Sequence, residues 1–171
     1  MNLIEYVESS PDVTWSVLDK PPAWVMVQGV PASWRETVMK SITGNPGPVW
    51  VDLNATTDDA EADPVFASQA TVLGWELRGL NVTPVEVVTM AAEITESVPG
   101  WTARTTKLTR PLPHVASLFM SGTLESPYGP LVSNIENAVV GDVGETAILV
   151  QLAVTATDAF ADVADRIRLR L

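Results

Sequence analysis

A chain of 171 residues with 46% hydrophobic and 18% charged side chains can bury roughly 70% of its unfolded surface, which excludes a disordered chain and requires no covalent staples. The absence of cysteine excludes disulfides, thiolate metal centres, a thiol nucleophile and an acylated cysteine. With 21 acidic against 10 basic side chains the net charge is −11, which repels nucleic acid and anionic membranes and suits a solubilising surface or a basic protein partner.

No repeat or long linker interrupts the chain, so residues 1–171 read as a single domain. Met1–Tyr6 lacks the basic segment and apolar run of a secretory signal, and no apolar stretch reaches about 18 residues. The expectation is therefore a cytoplasmic chain without a transmembrane segment. Thr14–Leu18 and Trp24–Val27 read as short strands parted by Lys20-Pro21-Pro22, where proline ends ladder pairing, so the N-terminus is expected to be extended. Ser33-Trp-Arg-Glu36 has capping-box spacing and predicts a short helix to about Ile42, with Trp34, Val38 and Ile42 on one face and Gly44–Pro48 as its stop. Val49, Val51 and Leu53 alternate with polar or opposite-facing residues as in a half-buried strand, and an acidic surface loop follows over Thr56–Asp63. A longer strand over Ala67–Arg78 places Leu73, Trp75 and Leu77 on its core-facing side.

Thr83-Pro-Val-Glu86 combines an N-cap threonine, a proline where no amide is needed and a third-position glutamate, which opens a helix. Val87, Ala91, Ile94 and Val98 form its apolar stripe, and Pro99-Gly100 ends it. From Trp101 the period switches to two, with strands at Thr102–Leu108, Val115–Leu124, Leu131–Val140 and Thr146–Thr155. The turn residues of Glu125–Pro130 and Gly141–Gly144 are short connections that join antiparallel neighbours into a meander. A brief helix then places Phe160, Val163 and Ala164 on one face, and Arg166–Leu171 alternates as a final edge strand with its arginines in water. That basic strand serves either internal charge pairing or docking. The fold class is α+β, an antiparallel β-sheet flanked by helices.

The order of a long apolar strand over Ala67–Leu80, a helix entered at Asn81-Val-Thr-Pro84 and left at Ser97-Val-Pro-Gly-Trp101, and a late strand with Ile148-Leu-Val-Gln-Leu152 resembles the LpqN/LpqT-type domain of actinobacteria, a relative of PsbP. The resemblance covers about Val49 to Ala164. It implies a PsbP-like antiparallel sheet with flanking helices and a non-enzymatic role in binding proteins, lipids or other envelope components. The chain departs from the lipoprotein members in having no cysteine to acylate.

Residues that could carry chemistry are few. His114 is the only histidine, so a histidine-rich metal site cannot form, and Ser117 and Ser121 lack the Gly-x-Ser-x-Gly elbow of a hydrolase. Asp58, Asp59, Glu61 and Asp63 lack the glycine and final glutamate of an EF-hand loop, and Gly44-Asn-Pro-Gly47 lacks the amides and the lysine of a phosphate loop. Asn54-Ala-Thr56 and Asn81-Val-Thr83 match the glycosylation pattern, which means little without secretion. The expectation is a chain with no catalytic residue, metal or cofactor, acting as a binding, adaptor or chaperone-like domain. Trp34 and Trp50 suit either a core or an interface, and Tyr128 lies at a hairpin tip, so these three are the candidate partner-binding residues. The alternative is a carrier of a lipid or small apolar ligand, held in a pocket between sheet and helix.

Overall fold

The first local signal in the chain is a reciprocal cap. Asn2 Oδ1 accepts from Glu5 N and Glu5 Oε2 accepts from Asn2 N, each at 3.0 Å, and helix α1 runs from there over Leu3–Ser9. The N-terminus is thus not extended throughout, as was expected; Asn2 and Glu5 carried the signal. The structure is a computed structural model that describes residues 1–38, 48–52, 66–142 and 144–171. The expected acidic loop, Leu53, the far end of the helix expected to reach Ile42, and Gly44–Gly47 lie outside these residues.

Strand β1 (Thr14–Val17) forms where expected, and β2 (Met26–Gln28) starts two residues later than expected, after a turn that holds Trp24. The helix expected from Ser33 does not. Trp34 N donates to Pro31 O at 3.0 Å in a tight turn, and Arg35–Val38 is strand β3, paired antiparallel with β4 (Pro48–Val51). An isolated turn of helix is costly to nucleate, whereas Thr37 and Val38 are β-branched and find a ready ladder, so pairing overrides the local cap.

Strand β5 covers Gln69–Arg78, helix α2 Pro84–Glu96, and the meander is β6 (Trp101–Leu112), β7 (Val115–Ser126), β8 (Gly129–Val140) and β9 (Ala147–Ala156). A 3-10 turn at Asp158–Phe160, helix α3 (Ala161–Ala164) and strand β10 (Arg168–Arg170) complete the chain. The described residues form an eight-stranded sheet in the order β3-β4-β5-β9-β8-β7-β6, with β1 joining the same edge of β5 as β4. Every pairing is antiparallel. β5 is long enough to take two partners on one edge, β4 opposite its first residues and β1 opposite its last.

Both faces of the sheet's central strands are covered, where a helix across one face was expected. On one face α1 and α2 pack over Leu77, Leu118, Met120, Val139 and Leu149. Leu77 faces this core, as its alternation predicts, and Trp75 packs partly against it. On the other face lie Ala70, Val72, Val150, Leu152 and Val154, under Ile167 and Leu169 of the C-terminal segment and Val25, Val27 and Val30 of the N-terminal one. β2 and β10 pair with each other there as a small second sheet.

The stripe of α2 is rotated from the expected one. Pro84, Val87, Val88, Ala91, Ala92 and Thr95 are buried, Ile94 is half-buried, and Val98 lies beyond the helix end and is exposed. The spacing of three and four around Val87 and Ala91 faces a broad sheet and needs a wider apolar arc than a single row of fours.

The Thr83 cap forms as its residues dictate. Thr83 Oγ1 accepts from Glu86 N at 3.3 Å, and Glu86 Oε2 accepts from Thr83 N at 2.7 Å and from the Thr83 hydroxyl at 2.8 Å. The backbone bond first and the hydroxyl bond second hold the Glu86 carboxyl below its ordinary value of 4.5. A depressed folded value contributes stability above the ordinary value, and this contribution fades as pH falls through the folded one. Glu86→Gln should therefore flatten the fall in thermal midpoint on acidification below the ordinary carboxylate range. An identical acid limb in both proteins would contradict this.

The C-terminal arginines are not all fully in water. Arg166 and Arg170 are exposed, but Arg168 turns inward: its Nε lies 3.0 Å from Oε2 of buried Glu136, and its guanidinium sits 4.0 Å from the centre of the Phe119 ring. β10 pairs with β2 rather than with a sheet edge.

Candidate functional site

Strand alternation assembles the site. Glu36 on β3 is directly opposite Trp50 on β4, and Trp50 is opposite Ala70 on β5. Residues so paired project from the same face, and Val72, two positions beyond Ala70, shares it. The segment between β1 and β2 crosses this face. Pro21 and Pro22 stiffen it, and Val25 N donates to Pro22 O at 3.0 Å to turn it back toward β2.

An open groove of about 280 Å³ remains between this segment and the sheet corner, lined by Pro21, Pro22, Val25, Glu36, Trp50 and Val72 together with Ala23, Val27 and Pro48. Trp50 is half-buried and forms an aromatic wall. Glu36, exposed at the mouth, is the one charged lining residue. Trp24 and Met26, at 43% and 58% exposure, extend apolar surface nearby.

The three candidate residues therefore fall in different places. Trp50 lines the groove. Trp34 is 5% exposed and belongs to the core of the same sheet face, with its Nε1 buried and unpartnered, so it supports the groove from within rather than meeting a partner. Tyr128 is exposed at the β7–β8 turn, its ring centroid 6.0 Å from that of Phe66, and it is absent from the groove lining. Glu36 was missed because a helix was expected there, and the two prolines were read only as strand breakers.

Among the described residues the groove lining brings together apolar side chains and one carboxylate. His114 is exposed at the β6–β7 turn, where its carbonyl accepts from Gly141 N at 3.0 Å. Ser117 Oγ donates to Glu136 Oε1 at 2.9 Å, within the cluster that holds Arg168. Among the described residues no three His, Asp or Glu side chains gather where they could hold a metal ion. No helix among them is long and apolar enough to cross a membrane.

Two other places bear on ligand binding. A depression of about 300 Å³ lies between α1 and α2, lined by Tyr6, Val82, Val85, Thr89 and Met90. Where α2 meets the sheet, the gap between Leu80, Val87, Val139 and Ala147 leaves no room for a water molecule.

No protein-family model matches the chain, and no curated protein matches it by sequence. Among solved structures it is similar to LpqN, described as involved in cell envelope biogenesis of Mycobacterium tuberculosis. That match has a TM-score of 0.68 at 16% identity and covers 98% of this chain and 94% of that one. A second similarity, to the Ran-binding protein Mog1p of Saccharomyces cerevisiae, has a TM-score of 0.42 at 15% identity and covers 80% of this chain and 75% of that one. At such identity the likeness to LpqN is one of architecture: this chain has the α+β fold of that protein, a mostly antiparallel sheet with flanking helices.

Proposed function

We propose that this chain is a non-enzymatic binding module of the LpqN/LpqT-type, PsbP-like kind, and that it receives a short segment of a protein partner in the Trp50 groove. The observation that carries this reading is an open groove walled by a half-buried tryptophan, prolines and valines, with one carboxylate in its lining. Half-buried tryptophans in such settings are the side chains on which binding energy concentrates. Prolines on the rim keep the groove open before a partner arrives, which lowers the ordering cost of binding. Glu36, on a chain of net charge −11, favours a segment in which a large apolar side chain is followed by lysine or arginine.

The alternative of an apolar ligand between sheet and helix has less support, since the contact of α2 with the sheet at Val87 and Val139 is closed. The test is to select peptides from a displayed library on the immobilised chain and titrate the enriched sequence into three proteins. The wild type and Tyr128→Ser should bind alike, and Trp50→Ser should bind at least about tenfold more weakly, a loss of roughly 1.4 kcal/mol. No enrichment, or equal binding to the Trp50 variant, would remove the groove as the site.

A further inference from the structure

At the opposite end of the sheet from the groove lies β6, whose outer edge no described strand covers. Of its residues Trp101–Leu112 only Trp101 is half-buried; the rest are exposed. A strand open along its length leaves the amides and carbonyls of every second residue pointing outward, a template for one more strand.

The charge on this edge is the reverse of the chain's. Arg104, Lys107 and Arg110 fall within seven residues of a protein that has 10 basic side chains in all, and no acidic residue occurs between Trp101 and Leu112. None of the three takes part in an ion pair among the described residues, unlike Arg78 and Arg168. Lys107 stands on one face of β6 opposite Phe119. Leu108 stands on the other, opposite Leu118, and is 48% exposed.

We propose that β6 is a docking edge for an extended acidic segment of a partner protein, which adds to the sheet as a further strand. Charge selects this occupant over a second copy of the chain. Two β6 edges laid antiparallel would bring cation against cation, and the rest of either copy is strongly acidic. The bulges between Ala103 and Thr105 and between Thr109 and Leu112 interrupt the regular edge on either side of Thr105–Thr109. They shorten the ladder available to a long flat strand, which discourages promiscuous pairing, and leave a central run that carries Lys107 and is framed by Arg104 and Arg110. A segment alternating Asp or Glu with aliphatic residues meets both features, acidic groups toward Lys107 and apolar ones toward Leu108.

The test uses the full chain and a capped peptide of alternating glutamate and valine. Binding should shift the amide NMR signals of Thr105–Thr109, weaken as salt is raised, and be lost when alternate peptide nitrogens are methylated. The combined Arg104→Ser, Lys107→Ser and Arg110→Ser variant, altered only at exposed positions, should keep its thermal midpoint and bind at least about tenfold more weakly. Trp50→Ser should bind this peptide normally, so the edge and the groove stand or fall separately. Retained binding of the methylated peptide would reduce the edge to a diffuse cationic surface and overturn the proposal. Absent binding, shifts confined to other elements, or β6 shifts that grow with protein concentration alone would also overturn it, the last by revealing a second copy as the occupant.

Discussion

Glu136→Ala is expected to destabilise the chain by about 3 kcal/mol in urea denaturation, the lower end of what breaking a buried ion pair costs. Glu136 is 6% exposed in the middle of β8, and its two oxygens serve four donors from three residues on the second face of the sheet. Oε1 accepts from Ser117 Oγ at 2.9 Å and from Arg168 Nη2 at 3.2 Å; Oε2 accepts from Arg168 Nε at 3.0 Å and from Leu169 N at 2.9 Å. Removing the carboxylate leaves a half-buried guanidinium and a buried backbone amide without their acceptor, and each loss carries its own desolvation cost. The Arg168 side chain keeps 31% exposure, so water relieves part of the penalty, and this is the reason for the lower figure. Adding Arg168→Met to Glu136→Ala should recover part of the loss, because an apolar side chain against Phe119 leaves no orphaned charge. A loss below about 1 kcal/mol for the single variant would mean that β10 is not held through this carboxylate.

The second large effect concerns β5, whose two faces are both core. Leu77→Ala should cost roughly 2–5 kcal/mol and Val72→Ala roughly 1.5–3 kcal/mol, from lost transfer energy plus the cavity left behind. Leu77 is 0% and Val72 1% exposed, on opposite sides of the same strand. Ile94→Ala on the half-buried flank of α2 should cost less than either. Val72 is the discriminating position. If the N- and C-terminal segments did not close over the second face, its truncation would be nearly silent while that of Leu77 remained severe. Denaturation midpoints compared at a common slope separate these outcomes.

Much of the architecture was legible because its signals are local. The meander from Trp101 to Ala156 follows from period-two alternation interrupted by Gly and Pro, and the structure places β6, β7, β8 and β9 within a few residues of the expected ranges. Helix α2 begins where the threonine, proline and glutamate say it must. Helix α1 was legible too, through Asn2 and Glu5, but a segment so short gives no periodic stripe to draw attention to it.

The candidate groove was legible only at Trp50, an aromatic residue facing away from Val49 and Val51. Its other walls come from segments distant in sequence: the prolines before β2, Glu36 on β3 and Val72 on β5. Ser33-x-x-Glu36 carries a helix signal that the neighbouring ladder overrules, and with it went the side of the chain on which Glu36 stands.

Sequence by itself determined most of the strands, the main helix, the antiparallel succession of the meander and the acidic, cysteine-free character of the chain, because propensity, capping and short turns act between near neighbours. Tertiary structure alone decided that the sheet is covered twice, that Trp34 is core while Trp50 lines a groove, that Arg168 turns inward to Glu136, and that β6 rather than the C-terminal strand is left as the long open edge. Those outcomes depend on which distant segments meet. A two-residue alternation states that a strand has two faces, but not what will be laid against each.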